Sequence, residues 1–530
     1  MKELKLEGLS IKQKLGMAMC GICIMDDRWE GFEENLAYTV ELIKNHSLGA
    51  VWVSPNARIL ERVMPAIHEA ADYPILIMTD AESGLGEFKI GRHNQIGCTG
   101  SEEHAYIFGK VTALTARKLG YNVVCNPVMD LSTGGSVRSY GSDKYKVAKL
   151  AIAEAQGMHD GGVLTVGKHY PGAKPVRAVD SHMAESVSDI TVEELLDYPL
   201  YPYTELIKRG LLDGIMTGHK RLSKIDPVYP TSLSKKAINV IREQGFEGFA
   251  ITDCLEMMGI VAKFGRWEAK GMAIAAGNDI ALPWHESRFC YEALCDCYEK
   301  GIIPEERLNE AVRRVLEAQH KTLAKPKFTE ITEEDIKMFD LINRDSVYAH
   351  VDEGLSTSIS KDGRHYFAVM VENGTEVLDS GKVTVDTFST KWYDPNKIMD
   401  RIQELFPNSK AVAIDQFPTP AMNQRLLHES VEYDDVVFIT FTEKKAYSGE
   451  ERFTSRILSV IGALQVTKRI SALVHFGNPF PLEEIEDHLP RILIGCLSPD
   501  SVMCTLEVLA GNYPAKGVLT YDVNLDGIYR

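Results

Sequence analysis

Short apolar runs recur through the first 325 residues, at 17–25, 48–54, 74–80, 122–130, 163–169, 212–219, 248–253 and 279–283. Between them lie segments in which apolar positions fall three and four residues apart. That alternation is the pattern of parallel strands joined by crossover helices. Eight runs of this kind predict a closed (β/α)8 barrel. The segment 311–324 reads as its last helix, followed by polar Lys325-Pro326-Lys327-Phe328-Thr329-Glu330 and a further helical stretch. The pattern restarts at 365–371, 411–415, 435–442, 470–477 and 491–496. The predicted architecture is therefore α/β throughout: a TIM-type barrel over 1–325, a linker over 326–345, and a C-terminal α/β sandwich with a mostly parallel sheet over 346–530.

A barrel of this kind works at the C-terminal ends of its strands, so polar residues that end apolar runs carry information. Asp80, His169, His219 and Asp253 each do so. Any one alone would read as a helix or turn cap. Four together point ionisable groups at one mouth.

Composition changes the picture mainly by exclusion. At 530 residues, 45% hydrophobic and 25% charged, the chain exceeds one core and fits two domains. A formal net charge of −17 opposes nucleic acid or an acidic membrane as partner, and a neutral or small substrate fits better. The acidic start Met1-Lys2-Glu3-Leu4-Lys5-Leu6-Glu7 does not resemble a secretory leader, and the expectation is a cytoplasmic protein. Ten cysteines, several in apolar runs, read as reduced core residues. Cys20 and Cys23 form a C-x-x-C without a second ligand pair, and Cys290, Cys295 and Cys297 near His285 lie in a helical stretch that places only some of them on one face. No metal or cofactor is called for, and a homo-oligomer stays open.

Two segments carry the chemistry. In the first, a run ends in Lys168-His169, Tyr170-Pro171-Gly172 breaks the element, and a loop returns with Asp180-Ser181-His182. Asp180 is close enough to hold one imidazole nitrogen, which would fix the tautomer and make His182 a proton donor and acceptor. In the second, Thr252-Asp253-Cys254-Leu255-Glu256-Met257 places an aspartate where a strand leaves the barrel, facing a cavity, able to attack an anomeric carbon or stabilise charge there. Glu256 competes with it, but three residues later it is expected to face solvent or cap a helix.

These residues resemble the family 3 glycoside hydrolases, most of all the β-N-acetylglucosaminidase branch, whose pattern is K-H-F-P-G, then D-S-H, then a strand ending S/T-D-x-L-x-M. The likeness continues through Asp80-Ala81-Glu82-Ser83-Gly84, Asn126-Pro127-Val128-Met129-Asp130, Arg138-Ser139-Tyr140-Gly141-Ser142-Asp143 and Tyr229-Pro230-Thr231-Ser232-Leu233-Ser234, and becomes looser in the second domain. It implies a retaining exo-β-N-acetylhexosaminidase acting by double displacement, with Asp253 as nucleophile and His182, assisted by Asp180, as acid and base. It also implies that Asp80, Arg138, Lys168 and His169 bind sugar hydroxyls. Because neutral imidazole does not repel an anionic acceptor, phosphorolysis stays open beside hydrolysis, as does a β-glycosidase of different sugar specificity.

The chain departs from the family in two places. Glu82-Ser83-Gly84-Leu85-Gly86-Glu87-Phe88 lacks the arginine of E-G-G-x-V-x-R, and Gly172-Ala173-Lys174 replaces the frequent G-H-G. Two readings of other classes remain: a metal-dependent hydrolase using His169, His182, His219 and Asp253, and a sugar-binding protein without turnover.

Overall fold

A computed structural model describes residues 1–23, 29–131, 137–172, 180–284, 286–371, 374–377, 383–386, 394–442 and 452–527. Two compact units account for it. One comprises Met1–Phe88, Glu102–Leu131 and Asp143–Ile336; the other comprises Lys89–Ser101, Ser132–Ser142 and Lys337–Arg530.

The first unit is built on seven parallel strands, β1 (Cys20–Cys23), β2 (Ala50–Val53), β3 (Leu76–Thr79), β4 (Val123–Val124), β5 (Leu164–Tyr170), β6 (Gly214–Thr217) and β7 (Phe249–Thr252). Their order in the sheet is their order in the chain, as right-handed crossovers that always advance one place produce. Every residue of β2, β3, β6 and β7 is buried, which is why these strands read as unbroken apolar runs rather than alternating ones. The intervening helices carry the complementary pattern. Ala57–Ala70, capped by the Asn56 side chain on the Arg58 N–H, buries Ile59, Val63, Met64, Ile67 and Ala70 along one stripe.

The eighth run, 279–283, does not form a regular strand. Single bridges instead join Ile280 to Ile251 of β7 and Ala281 to Met19, next to β1. Asp279 holds the segment in place. Its fully buried carboxylate accepts from the Ala250 N–H at 2.8 Å and pairs with Arg242, Arg307 and Arg314 at 2.9, 2.5 and 3.3 Å. Backbone bonding from 280 and 281 to both outer strands then does what a longer ladder would do.

The second unit has a six-stranded sheet of β8 (Tyr348–Val351), β9 (His365–Val371), β10 (Lys410–Asp415), β11 (Asp435–Thr442), β12 (Ile470–Gly477) and β13 (Arg491–Gly495), in the order β8-β13-β12-β11-β9-β10. All pairs are parallel except β8 with β13. The edge strand β8 is half-buried at every position, so it carried no apolar run to announce it. Among the described residues, no helix is long and apolar enough to cross a membrane. The charged stretch 443–451 and His285 lie outside the described residues.

Candidate active site

The strand ends of the first unit carry the ionisable groups. Asp80 follows β3, Lys168 and His169 belong to the end of β5, His219 lies two residues past β6, and Asp253 follows β7. Lys168 is 1% exposed and pairs with two carboxylates, Asp80 and Glu82, the latter at 2.8 Å. A buried ammonium is tolerated only with such partners, so the three form one charged unit with Asp80 its most exposed member. Glu82 was read in the sequence as part of the Asp80–Gly84 likeness and of the divergent loop, with no role of its own; its place two residues after Asp80 was the available signal.

His169 is oriented by Asp130. The carboxylate bonds its Nδ1 at 2.8 Å and accepts from its backbone N–H at 3.3 Å. Asp130 also ends an apolar run, yet only the structure assigns it this partner. Asn126 supports the neighbouring loop, its amide donating to the Ala81 carbonyl and to buried Glu154 at 3.1 and 3.0 Å.

Asp180 and His182 form the pair expected from their spacing. Asp180 Oδ1 meets His182 Nδ1 at 2.7 Å and also accepts from the His182 N–H at 3.0 Å. The loop that carries them is anchored to the turn after Asp253: Met258 N–H donates to the His182 carbonyl at 3.2 Å and Gly259 N–H to that of Ser181 at 3.1 Å. A Cβ at Gly259 would sit 3.0 Å from the Ser181 oxygen, so glycine permits the close approach. A short parallel ribbon, Val187–Ser188 with Arg221–Leu222, and the Arg221–Glu185 ion pair at 2.8 Å hold the far side of the loop.

Asp253 is half-buried; its N–H donates to the Thr217 carbonyl and its Oδ1 accepts from the Cys254 N–H at 2.7 Å. Two buried side chains beneath the mouth register the cluster electrostatically. Burial pushes the His219 imidazole below its ordinary 6.5, against the opposing pull of Asp253, while His169 and His182 add to the depression. Burial likewise pushes the Cys125 thiol up, with Asp80, Lys168, Glu82 and Asp253 all acting on it. These groups therefore share one charged neighbourhood.

Other residues fall elsewhere. His219 has both ring nitrogens engaged, Nδ1 with Ser232 Oγ at 2.8 Å and Nε2 with the Cys254 carbonyl at 2.7 Å, so it braces the turn after Asp253 rather than offering a metal ligand. Among the described residues, no group of three or more His, Cys, Asp or Glu is placed to hold a metal. Glu256 does not face solvent. Its side chain is 10% exposed and pairs at 2.9 Å with fully buried Lys270 and with Arg266. Burial works against its ionisation, but these two cations outweigh it and hold the carboxyl below its usual range. Neutralising a buried lysine 14 residues away, it is unsuited to be the nucleophile. Arg138, half-buried, belongs to a segment of the second unit.

Comparison with known proteins supplies the class. Residues 18–318 match the glycosyl hydrolase family 3 N-terminal domain. This chain belongs to that family and is a glycoside hydrolase. A β-hexosaminidase of Tolumonas auensis is 33% identical over 237 residues, 42% of this chain and 70% of that protein. Another, from Hydrogenovibrio crunogenus, is 30% identical over 321 residues, 56% and 88% of the two chains. Among solved structures, a family 3 β-N-acetylglucosaminidase from Paenibacillus sp. str. FPU-7 aligns with TM-score 0.79 over 98% of this chain and 100% of its own, at 22% identity. A β-glucoside phosphorylase, BglX, bound to 2FGlc aligns with TM-score 0.77 over 98% and 95%, at 21% identity. At such identities the structural likeness speaks for the fold.

Proposed function

We propose that the chain is a retaining exo-β-N-acetylhexosaminidase that removes terminal β-GlcNAc-type residues from a small oligosaccharide or glycoconjugate. The observation that carries this reading is the Asp180–His182 pair, anchored through Met258 and Gly259 to the turn that follows Asp253. The names of the β-hexosaminidase relatives support the sugar. In this reading 1–325 form a closed eight-stranded barrel, with the bridges at Ile280 and Ala281 completing it, and 326–345 lead into a C-terminal α/β sandwich over 346–530. The nine described cysteines, all free thiols, fit a cytoplasmic setting.

The mechanism follows from the donors in place. Asp253 attacks the anomeric carbon as His182, through Nε2, gives a proton to the departing glycosidic oxygen, and a glycosyl ester forms on Asp253. His182, now neutral, takes a proton from water as that water attacks the same carbon, and Asp253 leaves as carboxylate. Asp180 stabilises the imidazolium that gives its proton in the first step and re-forms in the second. Asp80, Lys168 and His169 bind the sugar hydroxyls, with Lys168 and the carboxylates beside it offering donors and acceptors of opposite kind.

The test is turnover of p-nitrophenyl β-N-acetylglucosaminide beside the plain β-glucoside, with Asp253→Asn as blank. Cleavage of the acetamido sugar, lost in the variant, is expected; silence on both would overturn the reading. A second acceptor remains chemically open, because a neutral imidazole at His182 places no carboxylate in the path of phosphate. A sugar 1-phosphate formed only with phosphate present would identify it.

A further inference from the structure

Proton transfer from His182 requires the glycosidic oxygen to lie at its ring, so the leaving group must rest against whatever adjoins His182. Two methionines adjoin its backbone. Met183 follows in the chain, and Met258 is bonded to its carbonyl through the backbone at 3.2 Å. Both are large apolar side chains left open, 54% and 46% exposed. Single exposed methionines are ordinary, but two brought together beside an acid from positions 75 residues apart in the sequence are less so.

The apolar surface continues. Met258 begins the helix Met258–Phe264, which buries Gly259 and Ile260 on its inner side. At its other end Phe264 packs against Tyr229, with ring centroids 5.6 Å apart and planes inclined at 33°. Tyr229 and neighbouring Val228 are 37% and 47% exposed. Six residues of helix place Phe264 about 9 Å from Met258. The charges nearby answer one another: Glu185 pairs with Arg221 at 2.8 Å and with Lys263 at 3.8 Å, while Lys263 also donates to the Val228 carbonyl at 3.2 Å. A leaving group here is met by area and by adaptable thioethers, with the nearby ions already partnered.

We infer that the aglycone side of this site, formed by Met183 and Met258 and extended toward Tyr229, is built for an apolar alkyl or aryl aglycone. The inference rests on the glycosidase reading and names its substrate class.

The test uses methyl, butyl, hexyl and octyl β-N-acetylglucosaminides, whose leaving alcohols differ little in acidity, beside the disaccharide N,N′-diacetylchitobiose. In the full-length wild type, kcat/KM is expected to rise about twofold per added methylene, below the roughly fourfold that complete burial would give. In Met183→Ser/Met258→Ser the rise is expected to flatten, and because the readout is a slope within one enzyme, general loss of activity does not imitate it. A flat series in the wild type, or chitobiose cleaved faster than the octyl glycoside, would overturn the inference while leaving the hydrolase reading intact. Failure to cleave every glycoside of the series would overturn both.

Discussion

Asp180 contributes to His182 twice, through the ring and through the backbone, and the second bond matters for what a substitution would show. Asp180→Asn keeps a side-chain oxygen for the His182 N–H but no longer supplies an anion to the ring. The imidazolium that would donate the proton in the proposed mechanism then loses its counter-charge. The expected result is a fall in kcat of about 10²–10³-fold with KM changed little, measured by steady-state kinetics on an aryl glycoside. An unchanged kcat would remove Asp180 from the mechanism. At this scale the sequence was legible where partners are neighbours: Asp180 and His182 are two residues apart. It was not legible where partners are distant. Lys168 meets a carboxylate 88 residues away, and Glu256 looked solvent-facing because nothing local reveals that Lys270 is buried behind it.

At the scale of elements, polar groups buried within strands do much of the positioning. His475 in β12 is an example in the second unit. Its Nδ1 meets Thr440 Oγ1 at 2.8 Å and its Nε2 meets the Asn478 carbonyl at 2.7 Å, tying two parallel strands to the turn that leaves the sheet. Burial lowers its pKa from 6.5 to about 4, with the Asn478 carbonyl pulling the other way. A depressed imidazole stays neutral in the folded chain while the unfolded chain takes up a proton below about 6.5. Its contribution to stability is therefore complete above that pH and is lost as pH falls toward 4, by about 1 kcal/mol for each unit. Denaturant unfolding of the second unit's transition between pH 7 and 4 should show this slope, and His475→Asn, less stable throughout, should lack it. Equal slopes would place the pH dependence elsewhere. Asp279 plays the comparable part in the first unit: an apolar run announced a strand at 279–283, but a carboxylate gripped by three arginines formed an irregular segment that is bonded to both outer strands.

For the whole molecule, the net charge of −17 sets the long-range field. A neutral substrate should be indifferent to it. The kcat/KM for an uncharged glycoside is expected to vary less than about twofold between about 0.02 and about 0.5 M salt, as the Debye length shrinks. A substrate bearing a carboxylate should instead react faster as salt rises, because screening relieves repulsion. Strong salt dependence with a neutral glycoside would mean that charge controls access to the site.

Sequence alone determined the alternation of strand and helix, since buried parallel strands must be apolar on both faces and their helices on one stripe. It also singled out the strand ends at which ionisable groups gather, because a polar residue closing an apolar run has few places to go. The edge strand β8 escaped notice because a half-buried strand needs no apolar run. Only the tertiary structure decided which carboxylate serves which cation, and that Lys89–Ser101 and Ser132–Ser142, both inside the stretch read as barrel, belong with the second unit. The physical reason is common to these cases. Periodicity is imposed by each element's own burial and is written locally, whereas ion pairs and unit membership depend on the juxtaposition of segments far apart in the chain.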